Sequence, residues 1–210
     1  MNILEIFKHK KPDNSKNYPI RLTDLEQKFL LENIQDSVYY LEFGSGGSTF
    51  LALLKTNIPH IFSVESDMGW LEHLRKWNCI TTSEKDKRLH FLHINIGKTG
   101  DWGYPVETEK KALFPNYSSL PFEQKQKVKF DSVFIDGRFR VACALQTILN
   151  SDANTKILMH DFTFRPEYHV ILDFLDIVDV MDTMALFKLK KDFSKKDVLA
   201  MYNQYKYNFA

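Results

Sequence analysis

The sequence lacks the features of several protein classes. No apolar run is long enough to span a membrane, and the first residues, Met1–Phe7, do not form a secretory signal pattern. Only two cysteines are present, Cys79 in a segment typical of a loop and Cys143 in one typical of a helix, without metal-binding spacing. We therefore expect a cytoplasmic protein with reduced thiols and no membrane span.

The chain also lacks an excess of charge of one sign. Its 28 lysines and arginines nearly balance its 27 aspartates and glutamates, which gives a formal net charge of +1. This balance argues against bulk electrostatic capture, so nucleic acid is not expected as a partner. Apolar residues make up 44% of the 210 positions, which is typical of a globular protein with one large domain.

The most informative segment is a glycine turn, Gly44–Gly47. The preceding apolar segment, Val38–Phe43, is typical of a strand, and Phe50–Leu54 is typical of the start of a helix. Such a turn lets backbone N–H groups approach a ligand at a helix N-terminus, which favours anions. A turn whose glycines serve only helix packing is the alternative interpretation.

A second predicted strand, His60–Val64, ends in Glu65, roughly 20 residues beyond the turn. Nucleoside-binding α/β units place a carboxylate here, because its two oxygens match the two hydroxyl donors of a ribose. The turn and Glu65 together predict a cofactor that contains a nucleoside.

The turn itself favours one cofactor class. A dinucleotide fingerprint, G-x-G-x-x-G, would require glycine where the chain has Thr49. The block Glu42–Gly46 instead resembles motif I (E-x-G-x-G) of the class I S-adenosylmethionine-dependent methyltransferases. From Leu41 to Leu189 the chain is similar to a group of bacterial methyltransferase-like proteins without an assigned substrate. The resemblance implies S-adenosyl-L-methionine as the cofactor.

The resemblance also implies a set of cofactor-binding residues. Glu42 is expected to face the methionine amino group. Asn95 stands where the family commonly has an aspartate that accepts from the adenine amine, and its amide oxygen can still accept. Trp70 either stacks on adenine or belongs to the core. The predicted set is Glu42, Gly44, Ser45, Gly46, Ser48, Thr49, Glu65, Ser66, Asn95, Ile96 and Asp136.

Two carboxylates and an imidazole follow the predicted fourth and fifth strands. Because adjacent parallel strands lie about 4.8 Å apart, Asp136 and Asp161 are expected to line one cleft and to share a water or a cation. Asp161 and His160 are the predicted catalytic residues, as bases toward an acceptor hydroxyl. A role of His160 in hydrogen-bonding the loop is the alternative.

Metal-dependent O-methyltransferases resemble this pattern, with aspartates after the fourth and fifth strands and an asparagine next to the second aspartate. Here that third position is Phe162, so an oxygen ligand is missing. A divalent metal is compatible with the two aspartates but is not expected, and no metal-binding residues are predicted.

The long segment Gly97–Phe122 contains glycines and aromatic residues, which favours a lid over disorder. Other polar residues follow the fourth and fifth strands; for those after the fifth, an ordinary helix N-terminus is the alternative. The predicted substrate-binding residues are Trp102, Tyr104, Arg138, Arg165, Tyr168 and His169.

The order of elements predicts the fold. Short apolar runs alternate with helical patterns, which is typical of βαβ units. Only Asp182-Thr183 separates the predicted strands Ile177–Met181 and Met184–Leu189, which indicates an antiparallel hairpin. We predict an α/β, Rossmann-like class I methyltransferase fold, with a seven-stranded, mostly parallel sheet and an antiparallel last strand.

We predict a methyltransferase-like domain over residues 23–190, a tail or extension over 1–22, and a basic cap over 191–210. The predicted function is methyl transfer to a small-molecule or sugar-like acceptor, with oxygen as the expected acceptor atom, by a monomer or a homodimer. The alternatives are a nicotinamide- or nucleotide-sugar-dependent oxidoreductase and a non-catalytic protein that binds S-adenosylmethionine for regulation.

Overall fold

The computed structural model describes residues 18, 20–125 and 128–209, which form an α/β domain around a seven-stranded sheet. In chain order the strands are β1 (Tyr39–Phe43), β2 (His60–Glu65), β3 (Leu89–His93), β4 (Ser132–Ile135), β5 (Lys156–Met159), β6 (Leu175–Met181) and β7 (Met184–Leu189). Their order across the sheet is β3-β2-β1-β4-β5-β7-β6, and β7 runs antiparallel to both of its neighbours. The predicted fold is confirmed.

Helices cover both faces of the sheet. They are α1 (Asp24–Ile34), α2 (Gly47–Lys55), α3 (Met68–Leu74), α4 (Asn78–Lys85), α5 (Asn116–Gln124), α6 (Arg140–Asn150) and α7 (Lys195–Tyr205). Successive residues of β1 point to opposite faces of the sheet and belong to two different hydrophobic clusters. Tyr40 packs with α1 and α2, whereas Leu41 packs with α6 and α7. None of the helices in the described part of the chain has the length and apolar character that crossing a membrane requires.

Helix α1 begins at the capping box that the sequence Thr23-Asp24-Leu25-Glu26 indicates, in which the side chains of Thr23 and Glu26 each accept a hydrogen bond from the other's backbone N–H. The helical spacing of Leu25, Phe29, Leu30 and Ile34 predicts one buried face, which is wrong for Leu25 because this residue is 55% exposed. Glu26 is buried instead, and its Oε1 accepts from the backbone N–H and the hydroxyl of Thr183 in the β6–β7 turn. A capping residue therefore also joins α1 to the sheet.

Three local predictions differ from the structure. The predicted lid segment contains two 3₁₀ stretches, Asp101–Gly103 and Thr108–Leu113, and part of α5. The apolar spacing of Val170–Leu175 predicts a helix, whereas the structure has a 3₁₀ stretch over Pro166–Asp173, followed by β6. Cys79 lies in α4 and not in a loop. Neither α4 nor α5 has a side-chain cap at its N-terminus, so the sequence carries no start signal for them.

Both terminal segments pack on the domain where they are described. Tyr18 and Leu22 are buried in the same core as α2, and the Tyr18 ring stacks on Phe50 with centroids 3.9 Å apart. Helix α7 buries Val198 and Tyr202 in the core that includes α6. Residues 1–17 and 19 of the predicted tail lie outside the described residues.

Candidate functional site

A cleft with a volume of about 880 Å³ lies at the carboxyl ends of the parallel strands. Its lining comes from the turn after β1, the ends of β2, β4 and β5, and the lid segment Gly100–Tyr104. Open parallel sheets bind ligands at this edge, and the volume is within the range of small-molecule and cofactor sites.

The floor of the cleft is a close contact between two backbone turns. Gly44 has a φ of +94°, and a Cβ at this position would lie 2.8 Å from Cα of Gly137 in the turn after β4. A Cβ on Gly137 would lie 2.2 Å from the hydroxyl oxygen of Tyr117. Two glycines are therefore required for β1 and β4 to present their turns side by side.

Glu42 lies beneath this floor and does not line the cleft. Its carboxylate is fully buried and accepts hydrogen bonds from the hydroxyls of Ser63 and Ser48, both at 2.7 Å, of Tyr40 at 3.2 Å, and of Thr49. Burial raises the pKa of Glu42 to about 7, although these hydroxyls act in the opposite direction. The placement corrects the prediction that Glu42 faces the ligand and that Thr49, also fully buried, contacts it.

Glu65 lies at the mouth of the glycine turn, as predicted from its position after β2. Its Oε1 accepts from the backbone N–H groups of Ser66 at 2.7 Å and Asp67 at 2.9 Å. Among the described residues, Oε2 accepts only from Ser45 N, at 3.4 Å. Burial raises the pKa of the Glu65 carboxyl against the effect of these hydrogen bonds. The side chain is thus fixed in orientation, and Oε2 has remaining capacity to accept a ligand hydroxyl.

Trp70 forms a wall of the cleft and is not a core residue. Its indole Nε1 donates to the backbone oxygen of Ser45 at 2.8 Å, and its ring stacks on His73. Asp67 caps α3 at Trp70 N and accepts from the hydroxyl of Thr99 at 3.0 Å. The last contact joins α3 to the base of the lid.

The ends of β4 and β5 bring Asp136, His160 and Asp161 together, with one ligand atom of each within 4.8 Å of the others. Arg140 bridges the two aspartates, with Nη2 3.2 Å from Asp136 Oδ1 and Nη1 3.0 Å from Asp161 Oδ2. His160 Nδ1 lies 2.9 Å from Asp136 Oδ1. The predicted approach of two carboxylates in the cleft is confirmed, and Arg140 is an additional member.

Both ring nitrogens of His160 face carboxylates, because Nε2 lies 3.4 Å from Oε2 of Glu26. Burial alone would lower the pKa of His160, but its hydrogen bond to Asp136 and the charges of Asp136, Asp161 and Glu26 raise it. Burial likewise opposes ionisation of Asp161, but His160 and Arg140 lower its pKa. The cluster is therefore a network of paired ions.

This network does not fit a metal site. Arg140 and His160 already neutralise the negative charge that Asp136 and Asp161 would otherwise offer to a cation. The next residue along the chain, Phe162, is buried and offers no oxygen ligand.

Asp161 also has a φ of +59°, which is rare for a residue other than glycine. Thr183 Oγ1 accepts from the backbone N–H of Asp161 at 3.3 Å, and Arg140 holds its carboxylate. Such strained conformations cost about 1–3 kcal/mol and concentrate at functional sites. In this conformation the Asp161 side chain lines the cleft.

The lid brings two aromatic residues to the cleft, each beside an arginine. The guanidinium carbon of Arg138 lies 4.3 Å from the ring centroid of Tyr104, and that of Arg21 lies 5.8 Å from the ring of Trp102. All four residues line the cleft, as does Arg165.

Four further predicted residues do not line the cleft. Asn95 accepts from Gly97 N at 2.9 Å in a local turn outside it, and Ile96 is fully buried, which corrects the predicted adenine contacts. Tyr168 is buried, and His169 lies 3.1 Å from the backbone oxygen of Phe162 through Nε2. These two side chains pack inward, which corrects their predicted contact with the acceptor.

Several lining residues were not predicted. Tyr18 and Arg21 belong to a segment that the composition assigned to a tail, and only their packing reveals their role. Arg140 stands four residues after Asp136 at the start of a helix, a spacing that the sequence does show. Tyr117 comes from α5, which the sequence does not predict.

Neither a protein-family model nor a curated protein sequence matches the chain. A methyltransferase-like protein from Silicibacter pomeroyi has a similar structure, with a TM-score of 0.81 and 27% identity over 91% of this chain and 98% of that one. An O-methyltransferase from Bacillus cereus, solved with S-adenosylhomocysteine, gives a TM-score of 0.54 and 16% identity over 85% of this chain and 87% of that one.

A Podospora anserina methyltransferase with bound S-adenosylhomocysteine gives a TM-score of 0.54 and 18% identity over 87% of this chain and 83% of that one. At these identities the last two similarities concern the fold alone. The similarity to the Silicibacter protein extends over nearly the whole of both chains. This protein has the class I methyltransferase fold, and its resemblance to the methyltransferase-like proteins of that class is confirmed.

Proposed function

We propose that this protein is an S-adenosylmethionine-dependent methyltransferase that acts on a hydroxyl group of a small-molecule or sugar-like acceptor. The observation that carries this proposal is Glu65, a cleft-lining carboxylate fixed by backbone N–H groups beside the glycine turn after β1. An oriented acceptor at this place suits a ribose hydroxyl, and the fold places nucleosides there.

The residues around Glu65 fit the rest of such a cofactor. Gly44 and Gly46 leave their backbone accessible at the N-terminus of α2, which suits the carboxylate of an amino acid. Trp70 offers a flat apolar wall held by its indole N–H. Ser45, Ser48 and Ser66 also line the cleft and complete the cofactor-binding set.

When bound, the cofactor supplies an electrophilic methyl group on a sulfonium with a good leaving group. The protein then needs mainly to align the acceptor and to receive its proton. Asp161, ionised and aimed into the cleft, holds the acceptor hydroxyl and accepts the proton that it loses on methylation. His160 has both nitrogens directed at carboxylates, so it positions Asp136 and Asp161 and is not the base.

Two structures in the comparison are methyltransferases solved with S-adenosylhomocysteine, and one of them is an O-methyltransferase. Their bound ligand agrees with the cofactor proposed here, whereas the oxygen acceptor is proposed from the carboxylates of the cleft. A cytoplasmic location, the absence of nucleic acid among the partners and the homodimer stay predictions.

Calorimetry tests the proposal. S-adenosylhomocysteine is expected to bind with measurable heat and to raise the melting temperature. At a hundredfold excess over its dissociation constant, it should raise the free energy of unfolding by about 2.7 kcal/mol. NAD is expected to give neither. Binding of NAD alone would favour the oxidoreductase. Binding of S-adenosylhomocysteine without methyl release from S-adenosylmethionine, across a panel of small hydroxyl compounds, would favour the non-catalytic alternative.

A further inference from the structure

Arg138 is a buried cation that has no anionic partner among the residues that the structure describes. Only 9% of the residue is exposed, yet its side chain lines the cleft. Within the described ranges no ion pair includes Arg138, and its Nε atom has no hydrogen-bond partner. A buried charge that lacks a partner lowers the stability of the protein, which indicates that Arg138 serves a function other than stabilising the fold.

The neighbouring side chain, Tyr104, does not provide the hydrogen-bond acceptor that the Arg138 guanidinium lacks. Tyr104 contacts the face of the Arg138 guanidinium through its ring, a contact that stabilises the charge. The N–H donors of a guanidinium point outward in its plane, where they suit the two oxygens of a carboxylate or phosphate. The ring therefore orients the group but leaves Nε without an acceptor.

The carboxylates of the cleft do not pair with Arg138 either. Glu65 is held by backbone N–H groups, and Asp136 and Asp161 are held by Arg140 and His160. On the lid side of the cleft, Arg21 is a second arginine that contacts an aromatic ring and has no ion pair among the described residues. Asp67 accepts from Trp70 N and the Thr99 hydroxyl, and the lid carboxylate Asp101 forms no ion pair with either arginine among the described residues, so both guanidinium groups keep capacity for an anion.

We propose that Arg138 is an anion-binding residue of the cleft and holds a carboxylate or phosphate group, with Arg21 adding positive charge at the rim. Two molecules present this chemistry: an acidic methyl acceptor, and the carboxylate of the amino-acid part of the cofactor. The assignment to either source rests on the proposed function, whereas the anion site itself rests on Arg138.

Inorganic phosphate is the first probe, with sodium chloride at equal ionic strength as the reference. Phosphate is expected to raise the melting temperature of the wild type and of R75Q, whose arginine is paired with Glu84 outside the cleft, but not of R138Q. Without phosphate, R138Q should melt at or above the wild-type temperature, because it removes an unpaired buried charge. R138K, which keeps the charge but not the planar fork, replaces R138Q if that variant fails to fold, and should show a reduced phosphate shift.

An equal phosphate shift in the wild type and R138Q, or none in the wild type, would overturn the proposal. A lower melting temperature of R138Q in phosphate-free buffer, with an unchanged phosphate shift, would assign Arg138 a purely structural role.

Calorimetry then identifies the source. If Arg138 holds the cofactor carboxylate, R138Q should bind S-adenosylhomocysteine about tenfold or more weakly than the wild type does. Its affinity for 5′-methylthioadenosine, which lacks that carboxylate, should stay unchanged. If it holds an acidic acceptor, both affinities stay unchanged, and the phosphate shift persists in wild-type protein saturated with S-adenosylhomocysteine. Failure of S-adenosylhomocysteine to bind the wild type would contradict the proposed function, while the phosphate result would still decide the role of Arg138.

Discussion

His160 Nδ1 lies 2.9 Å from Oδ1 of Asp136, so the ends of β4 and β5 are joined by a hydrogen bond between side chains. Because Nε2 of the same ring faces Glu26 of α1, the imidazole connects a helix before the sheet with the two central strand ends. The ion network of the cleft is therefore also a structural connection.

The first prediction concerns the protonation of this ring. His160 should titrate above the ordinary histidine pKa of 6.5, whereas His90, whose pKa burial lowers, should titrate below it. Two-dimensional NMR of the imidazole protons measures both groups in one experiment. A raised pKa in the folded state contributes stability below pH 6.5 that is lost as the pH rises through the folded value. A His160 pKa at or below that of His90 would contradict the described network.

The second prediction concerns Arg140. R140M removes the buried cation that the two half-buried carboxylates of Asp136 and Asp161 share, so it should lower the free energy of unfolding by about 1–3 kcal/mol. R75M breaks a more exposed pair with Glu84 and should cost about 1 kcal/mol or less. Urea denaturation measures both, and equal losses would argue against a buried ion network.

The third prediction uses the Glu42 carboxyl, whose pKa rises from 4.5 to about 7 on burial. A raised carboxyl pKa means that the folded state binds more protons, so stability falls as the pH rises through this window. The loss amounts to about 3 kcal/mol. E42Q should remove most of it, whereas E32Q, on the exposed face of α1, should not. Parallel profiles of unfolding free energy against pH for the wild type and E42Q would contradict this assignment.

The fourth prediction separates the two aspartates. D161N should abolish turnover with an identified acceptor and spare cofactor affinity, because Asp161 faces the acceptor. D136N should reduce both, since Asp136 lies closer to the glycine turn through Gly137. Turnover together with calorimetry of each variant measures the two effects. Full activity of D161N would exclude Asp161 as the proton acceptor.

The fold could be predicted because local and global signals agree. The central strands β1, β4 and β5 are short apolar runs, and the two-residue separation of β6 from β7 specifies a hairpin. Helices α4 and α5 could not be predicted because they lack side-chain caps, and α5 contains Pro121. Their positions depend on tertiary packing, as Tyr117 against Gly137 illustrates.

The site could be predicted only in part. Position at a strand end identified Glu65, Asp136 and Asp161, since the sheet imposes that geometry. The sequence does not predict in which direction a side chain points. Glu42 turns inward because four hydroxyls converge on it, and Asn95 is occupied by a local hydrogen bond to Gly97. Such preferences depend on partners that come together only in the fold.

The central claim is that Glu65 holds the ribose of S-adenosylmethionine. The structure shows this carboxylate largely buried and bound by backbone N–H groups, so E65Q, which keeps the shape, is a cleaner variant than E65A. Its neutral amide should weaken binding, since a hydrogen bond to a charged group contributes about 1.5–3 kcal/mol. E72Q, an exposed change in α3, should leave binding unchanged.

Calorimetric titration of wild type, E65Q and E72Q with S-adenosylhomocysteine measures this directly. We expect the wild type and E72Q to bind S-adenosylhomocysteine with the same affinity and E65Q to bind it about tenfold or more weakly. Equal affinity of all three proteins, or no heat with the wild type, would contradict it.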